Sequence, residues 1–238
     1  HTRCSRDWSS DVCSSDLSPD TQQQNSRPDQ TRDGWPVRGG YGVMPGPADT
    51  FVAYGGNWAN VSNTPFREYK HWVHEGGIST PLIVHWPAGI TGARRGQLER
   101  QPGHLIDLMA TCVDLAGATY PATFKGRTIT PMEGVSLRPA FTGQPLARTQ
   151  PLFWEHEGNR AVRSGPWKLV SKHPGGWELY NLDTDRSEQT NLADQQPTRA
   201  KELAALYETW AKRVGALPWS QVNPANGKGA KKATNSGE

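Results

Sequence analysis

Residues 68–87 read EYKHWVHEGGISTPLIVHWP. Lys70 is followed by His71, His74 and Glu75, then by Gly76-Gly77, then by an apolar run that ends at Trp86-Pro87. This order predicts a polar, cation-bearing loop that turns sharply and enters a strand. A Gly-Gly pair permits backbone angles that a side chain forbids, and Pro81 is tolerated near a strand's start. Leu82, Ile83, Val84 and Trp86 lack a simple apolar-polar alternation, so the strand over 78–86 is expected to be covered on both faces. Polar groups at the end of a buried strand are where α/β enzymes place their chemistry. Lys70 is therefore the leading candidate for a cation that neutralises an anionic substrate oxygen. A solvated surface lysine accounts for the same spacing.

The pattern Lys-x-x-x-x-Glu-Gly-Gly, followed by a run ending in Trp-Pro, resembles the downstream segment of type I sulfatases. The longer run over 56–77, GNWANVSNTPFREYKHWVHEGG, is similar to the arylsulfatase branch of that family. The family's lysine at this place binds the sulfate group, which implies Lys70 as the catalytic and substrate-binding residue. His71, His74 and His156 are polar groups available beside it, and His74 and His156 are assigned to substrate binding. The fold implied is α/β: the C-terminal part of an alkaline-phosphatase-like sulfatase, ending in a small antiparallel sheet packed on a C-terminal helix.

Sulfate monoester hydrolysis needs cations aimed at the sulfonate oxygens, an activated nucleophile and usually a metal. In the resembled family the nucleophile is a formylglycine made from Cys or Ser in a Cys/Ser-x-Pro-x-Arg motif. Calcium is held there by three Asp and an Asn. Neither feature is recognisable in this sequence. Calcium is thus expected in a full-length member, with its ligands outside this chain, and no metal ligand is assigned here. The resemblance covers 31–219. The chain reads as a truncated C-terminal piece of an arylsulfatase, inactive alone.

The first residues read differently. The run over 7–17, DWSSDVCSSDL, back-translates to a common sequencing-library adapter, so 1–17 is expected to be an assembly artefact. Of Cys4, Cys13 and Cys112, only Cys112 would then be native. It lies in a helical apolar pattern and reads as a small core hydrophobe. No Cys-x-x-Cys and no zinc-ligand spacing occurs along the chain.

The composition, 34% hydrophobic and 21% charged, is globular but lean in core residues. A net charge of +3 is too small to point to nucleic acid, and no run is apolar for long enough to make a membrane helix. Residues 18–57 are rich in Gly, Pro, Asp and Arg and read as a long loop punctuated by turns. Residues 104–117, HLIDLMATCVDLAG, predict a helix with Leu105, Leu108, Met109, Cys112, Leu115 and Ala116 on its buried face. Residues 134–137, GVSL, resemble the family's link to its C-terminal subdomain.

From 151 the rhythm shortens. Strand-like runs over 152–157, 160–163, 167–171 and 177–181 are separated by Gly- and Pro-bearing turns, which predicts an antiparallel meander. Leu179, Tyr180, Leu182, Asp185, Glu188, Asn191, Leu192 and Ala193 then follow a pattern of the sulfatase C-terminal sheet, read as structural. A last helix over 197–215 carries Leu203, Leu206, Tyr207, Trp210 and Val214 as its stripe. The domains expected are 18–145, the downstream part of the catalytic domain; 146–219, an α+β subdomain; and 220–238, a disordered tail.

Two other functions stay open on these residues. One is a phosphate or phosphonate ester hydrolase of the same superfamily, and the other a non-catalytic carbohydrate-binding module, suggested by ten tryptophans. The partner expected is a small-molecule or glycan sulfate ester, with no nucleic acid and no membrane. The resemblance implies a periplasmic or secreted protein.

Overall fold

A computed structural model describes residues 28–39, 43, 46–50, 56–90 and 92–223. The adapter-like stretch, half of the Gly/Pro-rich 18–57 loop and residues 224–238 lie outside the described residues. In chain order the helices are α1 (Gly56–Ser62), α2 (Glu75–Ile78), α3 (Ile106–Leu115), α4 (Arg138–Phe141), α5 (Pro197–Val214) and α6 (Trp219–Val222). The strands are β1 (Thr123–Phe124), β2 (Arg127–Thr128), β3 (Leu152–His156), β4 (Asn159–Ser164), β5 (Trp167–Ser171) and β6 (Glu178–Asn181).

The chain divides into two compact units. One holds the described residues up to 80, with 154–161 and 166 onward; the other holds 81–153 with 162–165. The expected cut at 145/146 does not separate them: the Lys70 segment groups with the C-terminal sheet.

The meander forms as the sequence predicts, with strand order β3-β4-β5-β6. β5 pairs antiparallel with β6, placing Lys168 opposite Tyr180, Leu169 opposite Leu179 and Val170 opposite Glu178. Side chains alternate across a strand, so Lys168, Val170, Glu178 and Tyr180 share one face. That face carries the core of Val73, Ala161, Val170, Tyr180 and Leu182, with Ile78 and Trp154 packed against it. Val73 and Ile78 come from the Lys70 segment, which lies as a cover on the sheet. α5 packs on β5 as well, burying Leu203, Tyr207 and Ala211. Tyr207 meets Trp177 edge-on at 5.4 Å between ring centroids. Gly215 ends α5 in the left-handed region at φ 72°, where a glycine carries no Cβ penalty. Of the expected stripe, Leu206 and Val214 remain exposed.

Three expectations are corrected. Residues 81–86 form no strand, and Leu82, Ile83, Val84 and Trp86 are exposed, Ile83 by 89%. A strand needs neighbours for its backbone groups, and the described residues supply none to this run. Gly76-Gly77 lies within α2 rather than at a sharp turn. Its glycines are required by crowding: a Cβ on Gly76 would strike the Arg67 and Glu68 carbonyls, and one on Gly77 the Trp72 carbonyl. Residues 220–222, expected in the disordered tail, lie in α6, which runs to Val222.

The 81–153 unit reverses a fourth expectation. α3 forms, but it buries Asp107, Ala110 and Thr111. Leu105, Leu108, Met109, Leu115 and Cys112 are exposed, so Cys112 is not a core residue. The buried face binds the GVSL link through its polar groups. Asp107 accepts the amides of His104 at 2.7 Å and Val135 at 2.9 Å and pairs with Arg148. Thr111 Oγ1 accepts the Leu137 amide at 2.9 Å. A Cβ on Gly134 would meet the Ile106 carbonyl, which accounts for the glycine of that link.

Candidate functional site

The Lys70 segment is held to the sheet by two charge networks. In the first, Lys168 Nζ lies 2.9 Å from Glu75 Oε1 and 2.8 Å from Glu188 Oε1, and none of the three side chains is more than 4% exposed. Glu188 also accepts the Glu75 amide at 2.7 Å, which secures the start of α2. Buried charges persist only when they are compensated; Lys168 pairs with both carboxylates and hydrogen-bonds Glu75, while Glu188 Oε1 is held by the ion pair alone.

The second network centres on Glu178 of β6. Its Oε2 lies 2.6 Å from Arg67 Nη2 and 3.2 Å from His74 Nε2, and accepts the Tyr180 hydroxyl at 2.5 Å. The bond from His74, then those from Tyr180 and Arg67, outweigh burial and bring the Glu178 carboxyl down to about 2. Burial and the bond to Glu178 push the Tyr180 phenol well above its ordinary value.

Lys70 sits in the turn between these anchors, exposed, with no ion pair among the described residues. His74 is 1% exposed and faces Glu178. His156, at the end of β3, is exposed. The fold therefore brings His74 into the sheet interface and leaves Lys70 and His156 open to solvent.

A third cluster in the same unit, unmarked by the sequence pattern, joins His71, His156 and Glu157. His71 Nδ1 lies 3.0 Å from Glu157 Oε2. The rings of His71 and His156 stand edge-on with centroids 5.2 Å apart. One ligating atom from each of His71, His156 and Glu157 lies within 4.8 Å of the others. Buried Asn159 ties them: its Nδ2 donates to the carbonyls of His71 at 3.2 Å and His156 at 2.9 Å, while its Oδ1 accepts the His173 amide at 3.0 Å. His71 keeps a left-handed backbone, φ 94°. No local spacing signals this cluster, since His71 stands 85 positions before the adjacent pair His156-Glu157. The short pattern Glu157-Gly158-Asn159 signals only the turn.

The pattern after β6 also acquires reasons. Asp185 accepts the amides of Gln189 and Thr190 at 2.9 and 2.8 Å. Asn191 Oδ1 accepts those of Leu179 and Ala193 at 3.0 and 2.9 Å. Glu188 completes the buried triad.

Calcium is held by cages of oxygen ligands. Among the described residues the one group of three metal-ligating side chains contains two imidazoles, and the buried carboxylates Glu75, Glu188 and Asp107 are committed to Lys168 and Arg148. These residues do not fit calcium.

A family profile described as N-sulphoglucosamine sulphohydrolase, C-terminal, matches residues 67–212, more than half of the chain. An uncharacterized sulfatase of Schizosaccharomyces pombe is 30% identical over 176 residues, covering 71% of this chain and 31% of that protein. A sulfatase of Formosa agariphila is 30% identical over 161 residues, covering 61% and 28%. N-acetylgalactosamine-6-sulfatase of Mus musculus is 34% identical over 128 residues, covering 52% and 22%. The crystal structure of Ps i-CgsB is similar over 44% of this chain and 23% of that one, at 23% identity and a TM-score of 0.36. The chain spans under a third of the length of these curated relatives. The profile covers both charge networks and the Lys70 segment between them, and the chain belongs to the sulfatase family, of which it carries the C-terminal region.

Proposed function

We propose that this chain is the C-terminal part of a sulfuric ester hydrolase of arylsulfatase type, which cleaves a sulfate monoester to an alcohol or phenol and sulfate. The observation that carries the reading is Lys70: an exposed ammonium without an ion-pair partner among the described residues, on a segment fixed by buried charges at Glu75 and by Arg67 and His74 at Glu178. A cation on a fixed backbone meets a sulfonate oxygen without reorganising, which is the condition for electrostatic stabilisation of a transition state. His156 is assigned to the rim of the substrate site. His74, buried against Glu178, is assigned to fixing the Lys70 segment on the sheet rather than to substrate contact. The nucleophile and a hard cation such as calcium are assigned to other segments of a longer protein. On the family resemblance we assign that protein to the periplasm or the exterior.

The test is kinetic. In the longer enzyme, Lys70→Ala is expected to lower kcat/KM for p-nitrophenyl sulfate about a hundredfold while the melting temperature holds. Near-normal kcat/KM would remove Lys70 from the site. Preference for the phosphate or phosphonate ester over the sulfate would transfer the reading to that branch of the superfamily. The chain on its own is expected to give no turnover.

A further inference from the structure

We propose that His71, His156 and Glu157 bind a divalent cation of the zinc class. The donor set is two imidazoles and a carboxylate, which suits zinc and its neighbours in the transition series and not a hard cation. The three donor atoms already lie within 4.8 Å of one another, with the His71–Glu157 pair at 3.0 Å. A tetrahedral ion with bonds of about 2.0–2.1 Å needs donors roughly 3.3 Å apart. The exposed His156 ring closes the remaining gap by rotating. The cation sits between His71 Nδ1 and Glu157 Oε2, and water takes the fourth position.

The scaffold is built for holding two histidines at fixed separation. A single amide, that of Asn159, is 1% exposed and grips the backbone carbonyls of both His71 and His156. Asn159 is itself oriented by the His173 amide. Two of the amide's hydrogens thus go to carbonyls, and the contact of Nδ2 with His71 Nε2, at 3.3 Å, is its longest. Supporting groups of this kind matter for metal affinity as much as the ligands do.

The experiment uses the 238-residue chain without a histidine tag, fused to a soluble carrier protein and stripped of metal with a chelator. Zinc is titrated in competition with a chromophoric chelator, at neutral pH. One zinc per chain with micromolar or tighter affinity is expected, unaffected by millimolar calcium. His156→Ala and Glu157→Gln lie at an exposed turn and leave the fold intact; each is expected to weaken zinc about tenfold or more. His85→Ala, in the other unit, is expected to change nothing. Wild-type affinity in both turn variants, less than one zinc per chain, or equal displacement by calcium would overturn the site. Because the readout is binding, its outcome is independent of whether the longer protein hydrolyses sulfate esters.

Discussion

β5, WKLVS, and the run over 81–86, PLIVHW, carry similar apolar weight in sequence, yet they end in opposite states. In β5, Lys168, Leu169 and Val170 are wholly buried, the lysine included. In the other run Leu82 and Ile83 are exposed by 57% and 89%. β5 has β4 and β6 beside it, α5 packed on it and the Lys70 segment across its other face. The 81–86 run has no strand neighbour among the described residues. Burial is thus a property of an element's neighbours before it is a property of its own side chains. With enough neighbours, a charged lysine is buried more completely than a lone isoleucine.

The largest expected effect tests the buried side of that comparison. Lys168→Ala leaves Glu188 as a buried carboxylate without its cation and Glu75 with only Arg186, 3.9 Å away, and breaking such a group typically costs about 3–5 kcal/mol. The sheet unit should unfold early in urea. A midpoint near wild type would mean that the triad is not what holds the segment. Lys70→Ala is the exposed counterpart: about 2–4 kcal/mol of transition-state stabilisation lost in the longer enzyme, with stability changed by less than about 0.5 kcal/mol. Lys70→Arg should restore only part of the rate, because a planar fork does not replace a compact ammonium.

The two segments at the heart of the comparison were unequally legible. The meander and α5 could be read because turn residues and short apolar runs are local signals, and each strand lies beside its sequence neighbour. The 78–86 strand and the α3 stripe were misread because the pattern reports what an element would bury, not whether a partner is there. The spacing of Lys70 to Glu75 carries the resemblance, and the structure shows Lys70 exposed. The parts of Glu75 and His71 have no such local signal, because their partners stand roughly 85 to 115 positions away. Glu75 is a buried ion-pair member, which its place before Gly76-Gly77 does not signal.

Acid sharpens the comparison further. The Glu178 carboxyl lies at about 2 in the fold against 4.5 for an ordinary glutamate. A depressed carboxylate contributes stability that is fully present above pH 4.5 and is lost as pH falls from there toward 2. The contribution is about 3 kcal/mol at most. Glu178→Gln should flatten the acid limb of the melting temperature; an unchanged acid limb would assign it to other carboxylates. The smallest effect belongs to the exposed run. Ile83→Asp should change the melting temperature by little, since an 89% exposed side chain loses no packing. It should reduce self-association in light scattering, because it breaks an exposed apolar stretch.

The anchoring of the Lys70 segment also sets an order in time. Glu75 finds its cation 93 residues further along the chain, and the carboxylate that accepts its amide 113 residues further. At synthesis rates of about 5–20 residues per second, the segment leaves the ribosome roughly 5–20 s before the strand it docks on. During that interval Glu75 stays hydrated and Gly76-Gly77 has nothing to pack into. The backbone under Lys70 acquires its fixed position only as the last third of the chain is completed.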